Sequence, residues 1–214
     1  MKCFQAALLL WLAWAIPASA QDVFSHPLND RTRREVKTVT QRLASRPVIK
    51  ADFRQTKTVA RLSRTFISTG TMIFSVERGL LWQVQTPVAG ATVMTRNRIA
   101  QKSPSGRISV IAGGAHDTFR RFAAIMQAVF SGDDILIEKE FNVFFRRTGG
   151  RRWEIGLVPK DTTVKGVIAS LEIRGDDDLD GFVLREAGGD HVEYSFSRIT
   201  YPATLSPADE KAFF

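Results

Sequence analysis

The sequence predicts a mainly β fold with helices, in the α+β class, built on about eleven strands. Short segments with period-two alternation of apolar residues recur from residue 48 onward, and turn signals separate them. Only two segments show helical spacing. A single sheet with that many strands must curl, because large open sheets twist and roll. A half-barrel wrapped around a central helix and a closed ligand barrel both satisfy this requirement.

The clearest strand pair is a hairpin in residues 69–87. Met72 and Phe74 alternate with their neighbours on the first strand, and Trp82 does so on the second. Glutamines occupy the opposite side of the second strand, so we expect a sheet with one face hidden from water.

Residues 1–20 form a candidate secretory signal peptide. Lys2 precedes an apolar run of about eleven residues, which is shorter than the roughly twenty that span a bilayer. Small residues at 18–20 predict cleavage before Gln21, although an uncleaved anchor is the alternative. Because Gln21 is not a cysteine, no amino-terminal lipid is expected. We expect a soluble protein of the bacterial periplasm.

The rest of the chain, residues 21–214, is expected to form a single domain. The only cysteine of the full sequence, Cys3, lies in the predicted leader, which excludes disulfides and a cysteine nucleophile from the mature chain. The formal net charge of +8 favours anionic partners. For an exported protein these are lipid head groups or acidic membrane proteins, and nucleic acid is not expected.

The first helix is predicted in residues 29–45, with Asp30 as its N-cap. Its narrow apolar stripe consists of Val36, Val39 and Leu43. The other faces are basic, which is typical of a helix lying on a sheet with a solvated outer side. Alternatively, Arg31, Arg33 and Arg34 are a docking surface for an acidic partner or a membrane.

A second helix is predicted to begin at Asp117 or Thr118 and to end near Gly132. One face is rich in large apolar side chains: Phe119, Phe122, Met126 and Phe130. Either this face packs on the core, or the helix is a lid across a cavity; the pattern allows both.

Several short motifs run through most of the mature chain in a consistent order. They are Phe53-Arg-Gln55, Gly70 with Trp82 twelve residues later, Pro87, Arg96-Asn97, Phe130-Ser-Gly-Asp133, Phe141, Trp153-Glu-Ile-Gly-Leu-Val-Pro159 and Gly189-Asp190. By these motifs the chain resembles the periplasmic outer-membrane lipoprotein carrier (LolA-like) family, in particular its divergent branch. The resemblance implies an unclosed β-barrel of eleven strands with a helical lid, which binds acyl chains and has no catalytic machinery. It also implies a monomer that exchanges its ligand with an inner-membrane donor protein and an outer-membrane acceptor protein.

The resemblance places the ligand against apolar residues of the sheet and lid. These are Phe53, Met72, Phe74, Trp82, Phe119, Phe122, Met126, Phe130, Phe141, Phe145 and Trp153. One position departs from the family, in which an arginine six residues after the glycine ties the lid shut. Here Val76 occupies that position, so either Arg78 acts as the latch from a shifted turn or no latch exists.

Catalysis and metal binding have little support in the sequence. His26, His116 and His191 are scattered, and no Gly-x-Ser-x-Gly nucleophile motif occurs, so we expect neither an enzyme nor a cofactor. The acidic segment 176–181 matches the first half of a calcium loop but lacks its final glutamate. A solvated hairpin turn is favoured there, and no metal is expected.

Two arginine pairs, at 146–147 and 151–152, are either solvated or in contact with lipid head groups. Taken together, the sequence predicts a periplasmic carrier or chaperone that shelters an acylated ligand and delivers it toward the outer membrane. The ligand is left open among lipoprotein, free lipid, glycolipid and pigment. The alternative is a non-catalytic adaptor with a solid core, attached to an envelope transporter or to a lipid or pigment biosynthesis system.

Overall fold

The structure is a computed structural model, and it describes residues 22–95, 98–110, 128 and 132–214. The predicted leader, the predicted turn at Arg96-Asn97 and the predicted lid helix lie outside the described residues, except that Ala128 is described and helical.

Eleven strands and four α-helices make up the described part of the chain. The strands are β1 Val48–Val59, β2 Arg64–Ser75, β3 Gly79–Thr86, β4 Gly90–Met94, β5 Ile99–Lys102, β6 Ile108–Val110, β7 Phe141–Gly149, β8 Arg152–Pro159, β9 Ile168–Gly175, β10 Leu179–Glu186 and β11 His191–Thr200. The helices are α1 Asp30–Ala44, α2 Asp134–Glu140, α3 Thr162–Lys165 and α4 Pro207–Ala212.

All eleven strands belong to one antiparallel sheet with the order β6-β5-β4-β3-β2-β1-β11-β10-β9-β8-β7. The first and last strands of the chain, β1 and β11, therefore pair in the middle. Among the described residues β6 and β7 form the two edges and do not pair with each other, so the barrel is open. The predicted eleven-stranded, unclosed β fold is confirmed.

The edge strand β7 is covered by the segment that precedes α1. The Leu28 N–H donates to the Val143 carbonyl at 3.3 Å, and the Phe145 N–H donates to the His26 carbonyl at 3.0 Å. Pro27 forms a bridge with Phe144 between these two bonds. This pairing gives the backbone groups of an otherwise free sheet edge their partners.

Helix α1 begins one residue earlier than a cap at Asp30 would require. The Asn29 side chain accepts the Arg31 and Thr32 N–H groups at 3.0 Å, and the Thr32 hydroxyl accepts the Asn29 N–H at 2.8 Å. This reciprocal arrangement is a capping box. The prediction that Asp30 is the N-cap is therefore wrong, since Asp30 is the first helical residue.

The concave face of the sheet carries the main hydrophobic core, and the apolar stripe of α1 packs into it. Alternate residues of β1, β2, β3 and β7 to β11 point to this face, in register across the sheet. Its fully buried members include Met72, Leu157, Leu171, Ile173 and Phe182.

A second, smaller core covers the convex face behind the 69–87 hairpin. Its buried members are Val48, Ile73, Leu81 and Val93, and Leu205, Ala212, Phe213 and Phe214 pack against them. The prediction that only one face of this hairpin is hidden is thus wrong near its turn. It holds only at the other end of β3, where Gln83 is half-buried and Gln85 is exposed.

Four segments differ from the form that the sequence indicates. The sequence indicates only two helices, and α2, α3 and α4 are not among them. Strand β10 begins at Leu179 although a start at Phe182 is expected from the pattern. The short helices escape prediction because each has one turn or two, too few for an apolar period to repeat.

Helix α4 is fastened to the convex face by one ion pair. The Lys50 ammonium lies 2.8 Å and 2.9 Å from the two Asp209 carboxylate oxygens, and Ser206 caps the helix through Asp209. Burial alone would raise the pKa of Asp209, but the hydrogen bonds from Lys50 and Ser206 outweigh it and hold the pKa below its ordinary value of 3.8.

We predict that Asp209→Asn lowers the free energy of unfolding by about 1 kcal/mol at pH 7, because it removes a partly shielded, charge-assisted contact. A lowered carboxyl pKa stabilises the fold fully above the unfolded value and loses that effect as the pH falls through the folded value. The difference between Asp209→Asn and the unsubstituted chain should therefore vanish in acid. Urea unfolding at several pH values measures it. Glu210→Gln, on the same helix, is the control, and equal unfolding free energies of the two variants at pH 7 would contradict the prediction.

Candidate functional site

Five aromatic rings meet at the centre of the concave face. Phe53 stacks on Trp82 with ring centroids 4.2 Å apart, and Tyr194 meets Trp82 edge-on at 5.0 Å. Phe182 lies 4.5 Å from Tyr194, and Phe196 lies 5.8 Å from Phe182. We call these five residues the aromatic cluster. Pairs in these geometries stabilise one another beyond the area they bury.

The distances between rings of the aromatic cluster show how strongly the sheet curls. Trp82 on β3 and Tyr194 on β11 are three strand spacings apart, which is about 14 Å in a flat sheet. Their rings are nevertheless 5.0 Å apart. The strands between them must curve so that side chains from β3 and β11 converge, which gives the concave face its depth.

Gly70 makes this convergence possible. A Cβ atom at Gly70 would lie 2.8 Å from the Phe53 Cζ and would collide with the Gln83 carbonyl. With no side chain at this position, the Phe53 ring lies across β2 and reaches Trp82 on the next strand.

The remaining concave face is aliphatic toward α1 and aromatic toward β7 and β8. Met72 is buried near Leu43 of α1, where a cavity of about 10 Å³ remains. Residues of β1, β10 and β11, among them Phe196, also line this cavity. On the other side Phe145 and Trp153 are buried, and the Trp153 indole N–H donates to the Asp176 carbonyl at 2.6 Å.

The structure brings together most of the predicted ligand residues that it describes. The members buried in the main core are Phe53, Met72, Phe74, Trp82, Phe145 and Trp153. Phe141 is half-buried and packs against them. Phe119, Phe122, Met126 and Phe130 lie outside the described residues. That any of them binds a ligand stays a prediction.

Sequence reasoning missed three members of the aromatic cluster, namely Phe182, Tyr194 and Phe196. Tyr194 and Phe196 alternate with polar residues on β11, which marks them as facing the core but not as neighbours of Trp82. Phe182 lies between Gly181 and Val183, so alternation does not single it out. Burial, together with the nearby Glu186 carboxylate, raises the pKa of the Tyr194 phenol, so this hydroxyl stays protonated and neutral. The aromatic cluster itself therefore carries no charge.

The carboxy-terminal end of α1 is fastened to the turn between β9 and β10. Arg42 lies 3.2 Å from the Asp177 carboxylate, and the Arg46 guanidinium lies 3.6 Å from the centre of the Tyr201 ring. The Tyr201 hydroxyl donates to Asp178, and burial and this hydrogen bond raise the pKa of the phenol. The hairpin turn predicted for the acidic segment is confirmed, and arginines pair with two of its carboxylates, those of Asp177 and Asp178.

Arg78 lies in the turn between β2 and β3. The backbone of this turn is anchored where the Val76 N–H donates to the Pro47 carbonyl at 3.1 Å. Arg78 borders a cavity of 370 Å³ between the end of α1 and residues 203–205. In the part of the chain that the structure describes, Arg78 forms no ion pair. A latch role for Arg78 stays a prediction.

Most arginines proposed for docking are engaged within the chain. Arg31 lies 3.3 Å from Glu35, Arg33 pairs with Glu138, and Arg34 is exposed. In the two arginine pairs, Arg146 contacts Glu154 at 2.5 Å, Arg147 contacts Glu35 at 2.9 Å, and Arg151 pairs with Asp177. These contacts fix helix and strands to one another, so much of the positive charge along α1 has an internal partner.

The described residues contain no group of three or more His, Asp or Glu side chains placed to hold a metal ion. His26 lies beside the β7 edge and His191 begins β11. None of the helices within the described ranges is long and apolar enough to cross a bilayer.

No family model matches the sequence, and no curated protein matches it. Solved structures that are similar to it include a LolA superfamily protein from Nitrosomonas europaea, with 7% identity over 87% of this chain and 98% of that one and a TM-score of 0.48. The lipoprotein LppX from Mycobacterium tuberculosis has 11% identity over 83% and 100%, with a TM-score of 0.47. A protein described as a putative outer membrane lipoprotein-sorting protein domain, from Vibrio parahaemolyticus, has 11% identity over 85% and 99%, with a TM-score of 0.45.

We predict that Gly70→Ala lowers the free energy of unfolding by about 2 kcal/mol or more, because the added methyl displaces the Phe53 ring or the Gln83 backbone. Gly188→Ala is the matched control, since a Cβ there meets no atom within 4 Å. Urea unfolding followed by circular dichroism compares the two. Equal stabilities of the Gly70 and Gly188 variants would contradict the role given to Gly70.

Proposed function

We propose that the protein is a carrier that shelters the acyl chains of a lipoprotein or another lipid against its concave face. It carries out no reaction on its ligand. The observation that carries this proposal is the aromatic cluster, an apolar surface to which the side chains of neighbouring strands converge.

The physical advantage of such a surface is removal of the chain from water. Each buried CH₂ group contributes about 0.8 kcal/mol, so a chain of about sixteen carbons loses about 12 kcal/mol of favourable burial when it enters water. A carrier that replaces most of this contact makes transfer between membranes possible. Rings and a methionine offer a surface that adapts to a mobile chain without a fixed polar contact.

Uptake requires a covering element to move. The concave residues are buried in this structure, and the α1 residues Val36, Val39 and Leu43 are part of the same core. The contacts of Arg42 and Arg46 hold α1 against the sheet by exposed or half-exposed polar groups. Such contacts are weak enough to exchange when a ligand enters.

The proposed site of action is the bacterial periplasm, reached through the predicted leader. Delivery toward the outer membrane then involves a donor at the inner membrane and an acceptor at the outer membrane. Since the barrel is open, a ligand is able to leave sideways between the sheet edges as well as from an end.

One observation favours the alternative of a non-catalytic adaptor. The cavity beside Leu43 and Met72 has a volume of only about 10 Å³, so the core is almost completely filled at that end of the concave face. An adaptor requires no hollow and uses only its outer surface to bind an envelope transporter or a biosynthetic complex.

Trp82 provides a direct test. Apart from two tryptophans in the predicted leader, the chain contains only Trp82 and Trp153, so Trp153→Phe leaves one reporter in the aromatic cluster. We predict that titration with a long-chain fatty acid changes the Trp82 emission with a saturable dependence on ligand. Mass spectrometry of gently extracted protein should find bound lipid.

A pair of substitutions separates the two functions. Phe196 and Phe144 are both half-buried phenylalanines, on the concave and convex sides of the sheet. Phe196→Asp should weaken fatty-acid binding about tenfold or more, because it places a charge among the rings, whereas Phe144→Asp should leave binding unchanged. Absence of binding in the unsubstituted protein, with no lipid found by mass spectrometry, would refute the carrier and favour the adaptor.

A further inference from the structure

We propose that the tip of the β1–β2 hairpin is a docking surface for an anionic lipid bilayer. This inference concerns a surface outside the concave face, and it does not rest on the proposed carrier function. The tip comprises residues 59–67, which include the 3₁₀ turn Ala60–Leu62.

The tip presents three large apolar side chains to water. Leu62 is 57% exposed, Phe66 is 50% exposed and Ile67 is 46% exposed. They lie within six positions of one another at the end of the hairpin, where Val59 pairs with Arg64. Exposed apolar side chains at a hairpin end offer no groove in which a partner protein could bind. They fit a bilayer better than a rigid protein surface, because lipids rearrange around them.

The charges around these side chains favour lipid phosphates. Arg61 and Arg64 flank Leu62, and neither has an ion-pairing carboxylate in the part of the chain that the structure describes. Lys57, further down the hairpin, is already paired with Glu186 at 3.3 Å. The end of the hairpin therefore carries uncompensated guanidinium groups next to exposed apolar groups, and guanidinium binds phosphate in a bidentate manner.

Several backbone groups of the tip have hydrogen-bond partners within the protein, which suits insertion into a medium poor in water. The Ser63 N–H donates to the Ala60 carbonyl at 3.1 Å, and the Ala60 N–H donates to the Asp190 carboxylate at 2.9 Å. Strand β1 is also paired on both sides as far as Thr58. These bonds lower the cost of bringing β1 and the turn to the boundary between head groups and acyl chains.

The hairpin also leads from the tip to the aromatic cluster. Phe66, Ser68 and Gly70 are alternate residues of β2 and share the face on which Phe53 and Trp82 lie. A tip seated in a bilayer places this row of residues at the membrane surface. For the proposed carrier, this row is a path along which a chain enters the concave face.

The test is co-sedimentation of the purified protein with vesicles of phosphatidylcholine containing about 30 mol % phosphatidylglycerol, compared with phosphatidylcholine alone. We expect binding to the anionic vesicles that weakens as salt increases. Leu62→Asp/Ile67→Asp should reduce the partition coefficient about tenfold or more, because it removes two inserting side chains and adds two repelled charges. Arg61→Gln/Arg64→Gln should weaken binding and flatten its salt dependence.

The matched control is Ile108→Asp/Val110→Asp on the edge strand β6, where Ile108 is 50% exposed and Val110 is 59% exposed. This variant should bind vesicles within about twofold of the unsubstituted protein, because it adds the same charges away from the tip. Circular dichroism verifies that each variant is folded. Equal vesicle binding by the Leu62/Ile67 variant and the unsubstituted protein would overturn the proposal, and so would an equal loss in the β6 variant. Binding of an acidic protein by the tip, without any binding to vesicles, would also overturn it.

Docking and ligand uptake are measured separately. The Leu62/Ile67 variant should still take up fatty acid from solution, because neither residue belongs to the concave core. Vesicle binding without uptake in the unsubstituted protein would remove the carrier function and keep the docking surface. Uptake without vesicle binding would do the reverse.

Discussion

The stacking of Phe53 on Trp82 across Gly70 is the contact on which the concave face depends. It lets a ring from β1 reach β3 over the intervening strand, and Tyr194 then closes on Trp82 from β11. A sheet of eleven strands has many ways to twist, and this contact favours one that is strongly curled. Without that curl the apolar residues of β3 and β11 would form a broad, flat face and not a hollow.

The convex side supports the same shape. Behind the hairpin of β2 and β3, Leu81 and Val93 pack against the carboxy-terminal segment, and Lys50 fastens α4 to the outer side of β1. This part of the sheet is therefore packed on both faces. The tip of the β1–β2 hairpin lies outside these two cores and leaves Leu62, Arg61 and Arg64 exposed. A packed centre and an exposed tip suit the two proposals, which place an apolar ligand in one region and a membrane contact in another.

Local pattern was sufficient for the strands and insufficient for their partners. Alternation placed Met72, Phe74 and Trp82 on one face of the sheet, because the two-residue repeat of a strand is visible in consecutive residues. It did not identify Tyr194 or Phe196 as neighbours of Trp82, since β1 and β11 are paired across more than a hundred residues of sequence. The arginines of α1 show the same limit. Their charge is visible in the sequence, whereas the carboxylates that neutralise them, such as Glu138 and Asp177, lie far along the chain.

The most direct test of the central claim is photo-crosslinking with a fatty acid that carries a diazirine near the end of its chain, followed by peptide mapping. The chain end should label peptides of β1, β3, β10 and β11 at positions on the aromatic-cluster face, and an excess of ordinary fatty acid should suppress the labelling. Labelling confined to the convex face, or labelling that competitor does not suppress, would contradict the claim that the curled concave face shelters an acyl chain.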